Sequence, residues 1–213
     1  MSFASLISKI RSLQPNKSIS SLVQARLADF EKKKSSDAES IFKEMCFCLL
    51  TANYSAEGAL RIEKAIGNGF IILSQSHLAK KLKKLGYRFP NTRARYICGA
   101  RKYIAILHKV FSSGSTQSKL RDWFAGNVLG LGYKEASHFL RNIGYFDLAI
   151  VDFHVIDVLV SYNLTRRPKS KSLSKKQYLE IEKVLKNLAS SLGLSQGELD
   201  LYLWFMETGK VLK

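Results

Sequence analysis

The stretch VLGLGYKEASHFLRNIG, from Val128 to Gly144, governs how the rest of the chain is read. Leu129-Gly130-Leu131-Gly132 joins two segments, 118–128 and 133–142, whose apolar residues recur at three- and four-residue intervals, as on one face of a helix. Two glycines in such a turn let the backbone take positive φ and come close to another group. The amide N–H groups that open the following helix have no partner within it, so the turn also offers an anion site. Lys134 then poses a problem. It stands in the first turn of that helix, where the macrodipole places about half a positive charge and favours acidic side chains. A lysine there is either a solvated phosphate contact or an amine kept for its chemistry.

Outward from this turn the helical periodicity continues. Helices are predicted over SSLVQARLADFEKKK, SDAESIFKEMCFCLLTA, AEGALRIEKAIG, SHLAKKLKKLG and NTRARYICGARKYIAILHKVF on its N-terminal side. DFHVIDVLVSYN, SKKQYLEIEKVLKNLASSLG and SQGELDLYLWFMETG continue the pattern on the other side. SSDAES and the run from Ser195 supply helix starts, and Gly67, Gly86, Gly144 and Gly193 supply stops. No segment alternates in the manner of a strand, so the fold class is all-α. The run TRRPKSKSLSKK (165–176) reads as a basic, serine-rich connector able to touch phosphates.

The chain has 213 residues, with 34 Lys and Arg against 17 Asp and Glu, a net charge of +17. Such an excess speaks about partners, and a nucleic acid is the leading one. A hydrophobic share of 46% is enough to build a substantial core. No run approaches the roughly eighteen apolar residues of a membrane span, and the amphipathic MSFASLISKIRSLQ has no signal-peptide pattern, so an intracellular, cytoplasmic protein is expected. Cys46, Cys48 and Cys98 have no framework spacing, and Cys46 and Cys48 cannot share one helix face; packing is their expected role. The four histidines show no ligand spacing, and neither a metal nor a cofactor is expected.

The hydrophobic-Gly-hydrophobic-Gly pattern, with Ala136 four residues beyond Gly132, is that of a helix–hairpin–helix motif. Such a motif grips a DNA phosphate through backbone amides, here at Gly130 and Gly132, without reading sequence. Eighteen residues beyond Lys134 stands Asp152 in AIVDFHVIDVL, two ahead of His154. GLGYK…VDFHV resembles the bifunctional helix–hairpin–helix DNA glycosylases. LLTANYSAE, RFPNTRARYI and the ending TGKVLK are similar to the archaeal type-2 8-oxoguanine DNA glycosylase/AP lyase group, over roughly residues 36–213. The resemblance implies two helical lobes beside a DNA-binding cleft: 38–139, ending in the hairpin unit 118–142, and 1–37 with 140–213. It places Lys134 and Asp152 across that cleft from one another.

It also implies a chemistry that suits these residue types. A neutral Lys134 amine attacks C1′ of the damaged nucleotide and forms an imine, while Asp152 stabilises positive charge on the sugar as the base leaves. An ordinary lysine is protonated at neutral pH, and burial beside a positive helix end would favour the amine. Asn53 falls where this superfamily fills the void left by an extruded base, and serves equally as a helix C-cap. Phe89 is a stacking candidate or a packing staple, and Trp204 a pocket wall or a core residue. Lys213, at the pocket by resemblance, offers a carboxylate and an ammonium to the N7–H and 8-oxo groups of the base. The expected partner is duplex DNA containing 8-oxoguanine, bound by a monomer. A glycosylase for another lesion and a non-catalytic helix–hairpin–helix protein are the alternatives. The four-cysteine iron–sulfur loop of endonuclease III relatives does not follow Cys98, and no strand-rich N-terminal domain precedes the helices.

Overall fold

The computed structural model describes residues 2–170 and 172–213. Met1, and Lys171 of the basic connector, lie outside the described residues. Among the described residues there is no strand. The helices are α1 (Phe3–Leu13), α2 (Lys17–Lys34), α3 (Ala38–Thr51), α4 (Ala56–Ile66), α5 (Gly69–Ile72), α6 (Gln75–Lys84), α7 (Pro90–Ala100), α8 (Leu107–Phe111), α9 (Gln117–Asn127), α10 (Tyr133–Asn142), α11 (Phe153–Ser161), α12 (Lys175–Leu192) and α13 (Gln196–Thr208). No helix is long and apolar enough to cross a membrane among these residues.

Short polar side chains start most of them. Asp37, Ser55, Ser74, Thr116, Asp152, Ser174 and Ser195 each accept a hydrogen bond from the amide three residues on, a cap worth about 1 kcal/mol each. One expected helix breaks. The run 91–111 is interrupted by a 3-10 turn, Arg101–Ile106, between α7 and α8. Arg101 there reaches away from its own helix, donating from Nε to the Phe70 carbonyl (2.8 Å) and from Nη2 to the Leu73 carbonyl (2.6 Å). Those partners lie about thirty residues back in the chain, beyond the reach of a local pattern.

The chain divides into two compact units, Met1–Glu31 with Gly144–Lys213, and Lys32–Ile143. In the second of these, α3 is the centre, with α4, α7 and α10 packed on it. Its first turn carries the exposed Glu39, but from Glu44 to Thr51 every residue is buried, Cys46, Phe47 and Cys48 included. Burial pushes the Cys46 thiol well above its ordinary range, in keeping with a packing role. Glu44 is the charged residue within that buried stretch. Its carboxylate is fully buried and accepts hydrogen bonds from Lys33 Nζ and from Asn142 Nδ2, the latter at 2.8 Å. Stripping one partner from a buried charge costs about 3–5 kcal/mol, so this cluster fixes α10 firmly on α3. His138 adds an edge-on ring contact to Phe47, 5.7 Å between centroids.

In the other unit α1 packs on α12 and α13, and α11 packs on α13. The irregular segment before α11 is pegged by α12. Tyr178 donates to the Ala149 carbonyl (2.8 Å) and accepts from the Val151 amide (3.2 Å), while Glu182 accepts from the Ala149 amide (3.0 Å). Satisfying these buried backbone groups from side chains is what allows an apolar, non-helical stretch to stay inside.

Candidate active site

The hairpin needs glycine at one position and not at the other. Gly130 has φ +94°, and a Cβ there would fall 2.4 Å from Tyr96 Cδ2. Gly132 caps α10 with φ −83°, and among the described residues a Cβ there would meet only Glu135 Oε2, at 3.2 Å. The turn closes with the Leu131 amide donating to the Val128 carbonyl at 3.0 Å. At its tip Leu129 is 63% exposed, an apolar side chain the core does not use.

Lys134 is the second residue of α10. Its side chain is 30% exposed, with Nζ 3.2 Å from Glu135 Oε1. The other oxygen of that carboxylate accepts the Gly132 amide hydrogen at 3.2 Å. An acidic residue therefore does occupy this positive helix end, one place beyond the lysine. Lys134 is half-buried beside an anion, where the sequence pointed to burial at a positive helix end. Glu135 is the site residue that sequence reasoning passed over, although a glutamate three residues into a helix is a recognisable capping signal.

Asp152 caps α11, its Oδ1 accepting the Val155 amide hydrogen at 2.9 Å. No other hydrogen bond among the described residues engages this carboxylate. Tyr178 and Glu182, which peg 149–151, hold the strut from which it projects; neither was singled out from sequence. Two residues on, His154 makes an edge-to-face contact with Trp204, 5.0 Å between centroids at 84°. The Trp204 ring nitrogen is buried without a hydrogen-bond partner among the described residues, an exception to the usual pairing of indole N–H groups. Lys213 is half-buried at the chain end.

Asn53 follows the end of α3 with φ +60°, a left-handed conformation that asparagine tolerates, and it is exposed. The C-cap position of α3 is Ala52, and the bond closing this end runs from the Tyr54 amide to the Thr51 carbonyl, so among the described residues no capping bond engages the Asn53 side-chain amide. Phe89 precedes Pro90 at the start of α7, 42% exposed, with the Arg88 guanidinium 4.9 Å from its ring centre. Lys134, Gly130, Gly132, Asn53 and Phe89 thus share the unit Lys32–Ile143, and Asp152, Trp204 and Lys213 the other. Among the described residues no cluster of three or more His, Cys, Asp or Glu side chains has the arrangement of a metal site.

An all-helical chain in which a Gly-x-Gly hairpin opens onto a lysine defines a helix–hairpin–helix protein. More narrowly, the chain belongs to the 8-oxoguanine DNA glycosylase family, whose model matches residues 23–194. It is 50% identical to the 8-oxoguanine DNA glycosylase/AP lyase of Korarchaeum cryptofilum over 192 residues, 90% of each chain. It is similar in structure to the Methanocaldococcus jannaschii 8-oxoguanine glycosylase/lyase solved in complex with 15mer DNA containing 8-oxoguanine, with a TM-score of 0.93 and 45% identity over 98% of this chain and 100% of that one. The 8-oxoguanine DNA glycosylase of Thermotoga maritima matches with a TM-score of 0.92 and 38% identity, covering 99% of this chain and 100% of its own.

Proposed function

We infer that this protein excises 8-oxoguanine from duplex DNA and then cuts the abasic strand by β-elimination. The observation that carries the reading is family membership across 23–194, in a chain that keeps a lysine in the first turn after the hairpin. Lys134 is the nucleophile. Its neutral amine attacks C1′, the C1′–N9 bond breaks, and its electron pair leaves with the base, which takes up a proton. Loss of the amine's own proton and opening of the sugar ring give an imine between Nζ and C1′. Removal of a C2′ proton then expels the 3′ phosphate, leaving a strand broken on that side of the lesion.

Asp152 supplies the negative charge that steadies the sugar as positive charge builds on it, and holds the proton that the amine gives up. Its cap bond uses Oδ1 alone, which leaves Oδ2 for this work. Backbone amides at Gly130 and Gly132 grip a phosphate, the Gly132 amide exchanging its bond to Glu135 Oε2 for one to the phosphate. Asn53 fills the gap left by the extruded base, whose extrusion costs a few kcal/mol. Phe89 stacks against a neighbouring base, and Trp204 and Lys213 bind the extruded one. No metal or cofactor enters this scheme. The substrate sets the place of work inside the cell, on chromosomal DNA.

The test is a set of end-labelled duplexes carrying 8-oxoguanine, undamaged guanine, an oxidised pyrimidine or an abasic site. Cleavage of the 8-oxoguanine and abasic duplexes, with the other two intact, is the expected result. Cleavage of the oxidised-pyrimidine duplex in preference to the 8-oxoguanine one would overturn the lesion assignment.

A further inference from the structure

Arg93 is one of 34 basic residues in a chain expected to bind a polyanion, yet it is buried, 6% exposed. It points inward at backbone. Its Nε donates to the Tyr87 hydroxyl at 3.0 Å, and Tyr87 donates in turn to the Leu50 carbonyl at 2.9 Å. Its Nη2 donates to the Ala52 carbonyl at 3.1 Å. These are terminal carbonyls of α3, which an α-helix leaves without partners and which carry the negative end of its dipole. Asn53 is the next residue along. Burial pushes the Tyr87 phenol above its ordinary value, with Arg93 opposing, so the hydroxyl keeps the proton it donates.

The same guanidinium also faces a ring of its own helix. It lies 5.6 Å from the ring centre of Tyr96, the ring against which Gly130 packs with no room for a Cβ. The Arg93 amide also bonds back to the Phe89 carbonyl at 3.0 Å, so the clamp grows from the turn that Phe89 begins. From the first turn of α7, Arg93 thus holds the end of α3 directly, and through the neighbouring Tyr96 ring it borders the hairpin. Taking a guanidinium out of water is costly unless its hydrogen bonds are recovered in full, and a plain helix end needs nothing so elaborate.

We propose that Arg93 is a positioning residue, which holds Asn53 in register with the Gly130 hairpin so that void filling and phosphate grip act on one duplex at a fixed spacing. The proposal rests on the roles given above to Asn53 and the hairpin. It separates two reactions of the enzyme. An intact 8-oxoguanine pair must be opened and its gap filled, whereas an abasic duplex has no base to extrude.

The test is a double-mutant cycle, Arg93→Met and Asn53→Ala, read as single-turnover excision of 8-oxoguanine and as strand cleavage at a preformed abasic site, with thermal unfolding alongside. Each single substitution should slow excision about tenfold and abasic cleavage by a clearly smaller factor, and the double variant should fall little further, since residues acting as one unit are not additive. Arg93→Lys, which keeps a cation over the α3 carbonyls, should recover part of the loss. If Arg93→Met does not fold, Tyr87→Phe removes only the relay hydroxyl and replaces it in the cycle, with the same pattern expected. Additive losses, of about a hundredfold in the double variant, would overturn the positioning role while leaving Asn53 in its own. Equal loss of excision and abasic cleavage would also overturn it, by making Arg93 merely structural. Excision unaltered by Asn53→Ala would remove both assignments.

Discussion

Lys134 Nζ lies 3.2 Å from one oxygen of Glu135, whose other oxygen accepts the Gly132 amide hydrogen at 3.2 Å. One carboxylate thus closes the start of α10 and holds the amine proposed as nucleophile. A cation in the positive field of a helix start is tolerated here because its neighbour in the chain is an anion. To reach a sugar carbon, Nζ must leave that carboxylate, a short movement for a flexible side chain.

Glu135→Ala removes both contacts. It is expected to cost about 1 kcal/mol, a fall in Tm of roughly 2–4 °C for a chain of this size. Glu135→Gln keeps an acceptor for the Gly132 amide and should retain most of that stability. Thermal unfolding of the two variants checks this; equal losses would show that the carboxylate's charge matters and its cap bond does not.

Gly130→Ala and Gly132→Ala should behave oppositely. At Gly130 alanine meets both a positive φ and the Tyr96 ring, so about 1–2 kcal/mol of backbone strain adds to a steric clash, and duplex affinity should fall with stability. At Gly132 the backbone is ordinary and, among the described residues, the only close atom is the end of the Glu135 side chain. That variant should fold and bind DNA nearly as the parent does. Duplex binding isotherms and unfolding curves distinguish them, and equal damage from both would mean that the turn is read wrongly.

Asp152→Asn separates capping from catalysis. Asparagine caps a helix about as well as aspartate, so the fold should survive within a few tenths of a kcal/mol. Excision should fall by about 10²–10³, the usual loss when one electrostatic group at a transition state is removed. Asp152→Ala should lose the cap as well, about 1 kcal/mol. A fully active Asp152→Asn enzyme would reduce this residue to a cap.

Deleting Lys213 should slow excision of 8-oxoguanine more than cleavage at an abasic site, because only the first reaction has a base to recognise. Rates on the two duplexes, measured side by side, decide it. Equal loss on both would count against a role in the pocket.

Much of this was legible in the sequence, and the rest was hidden for physical reasons. Asp37, Ser55, Ser174 and Ser195 start helices by purely local bonds, and local bonds are what a pattern of neighbours reveals. The hairpin glycines are visible for the same reason. Arg93, Arg121 and Arg141 are not: each reads as part of a basic surface, and each is buried. Arg93's partners are six and 41 residues away, so only the fold shows that its charge serves backbone carbonyls. The interruption at Arg101 is of the same kind. Asp152 could be found by its neighbours, whereas the Tyr178 and Glu182 side chains that peg the segment before it belong to a helix some thirty residues further on.

The central claim is that the Lys134 amine becomes covalently joined to the sugar. Borohydride reduces an imine to a stable secondary amine, so incubation with an 8-oxoguanine duplex and borohydride should give a protein–DNA adduct that survives denaturing electrophoresis. Peptide mapping should place it on Lys134, and Lys134→Gln should bind the duplex yet give no adduct. An adduct of undiminished yield in Lys134→Gln would contradict the account.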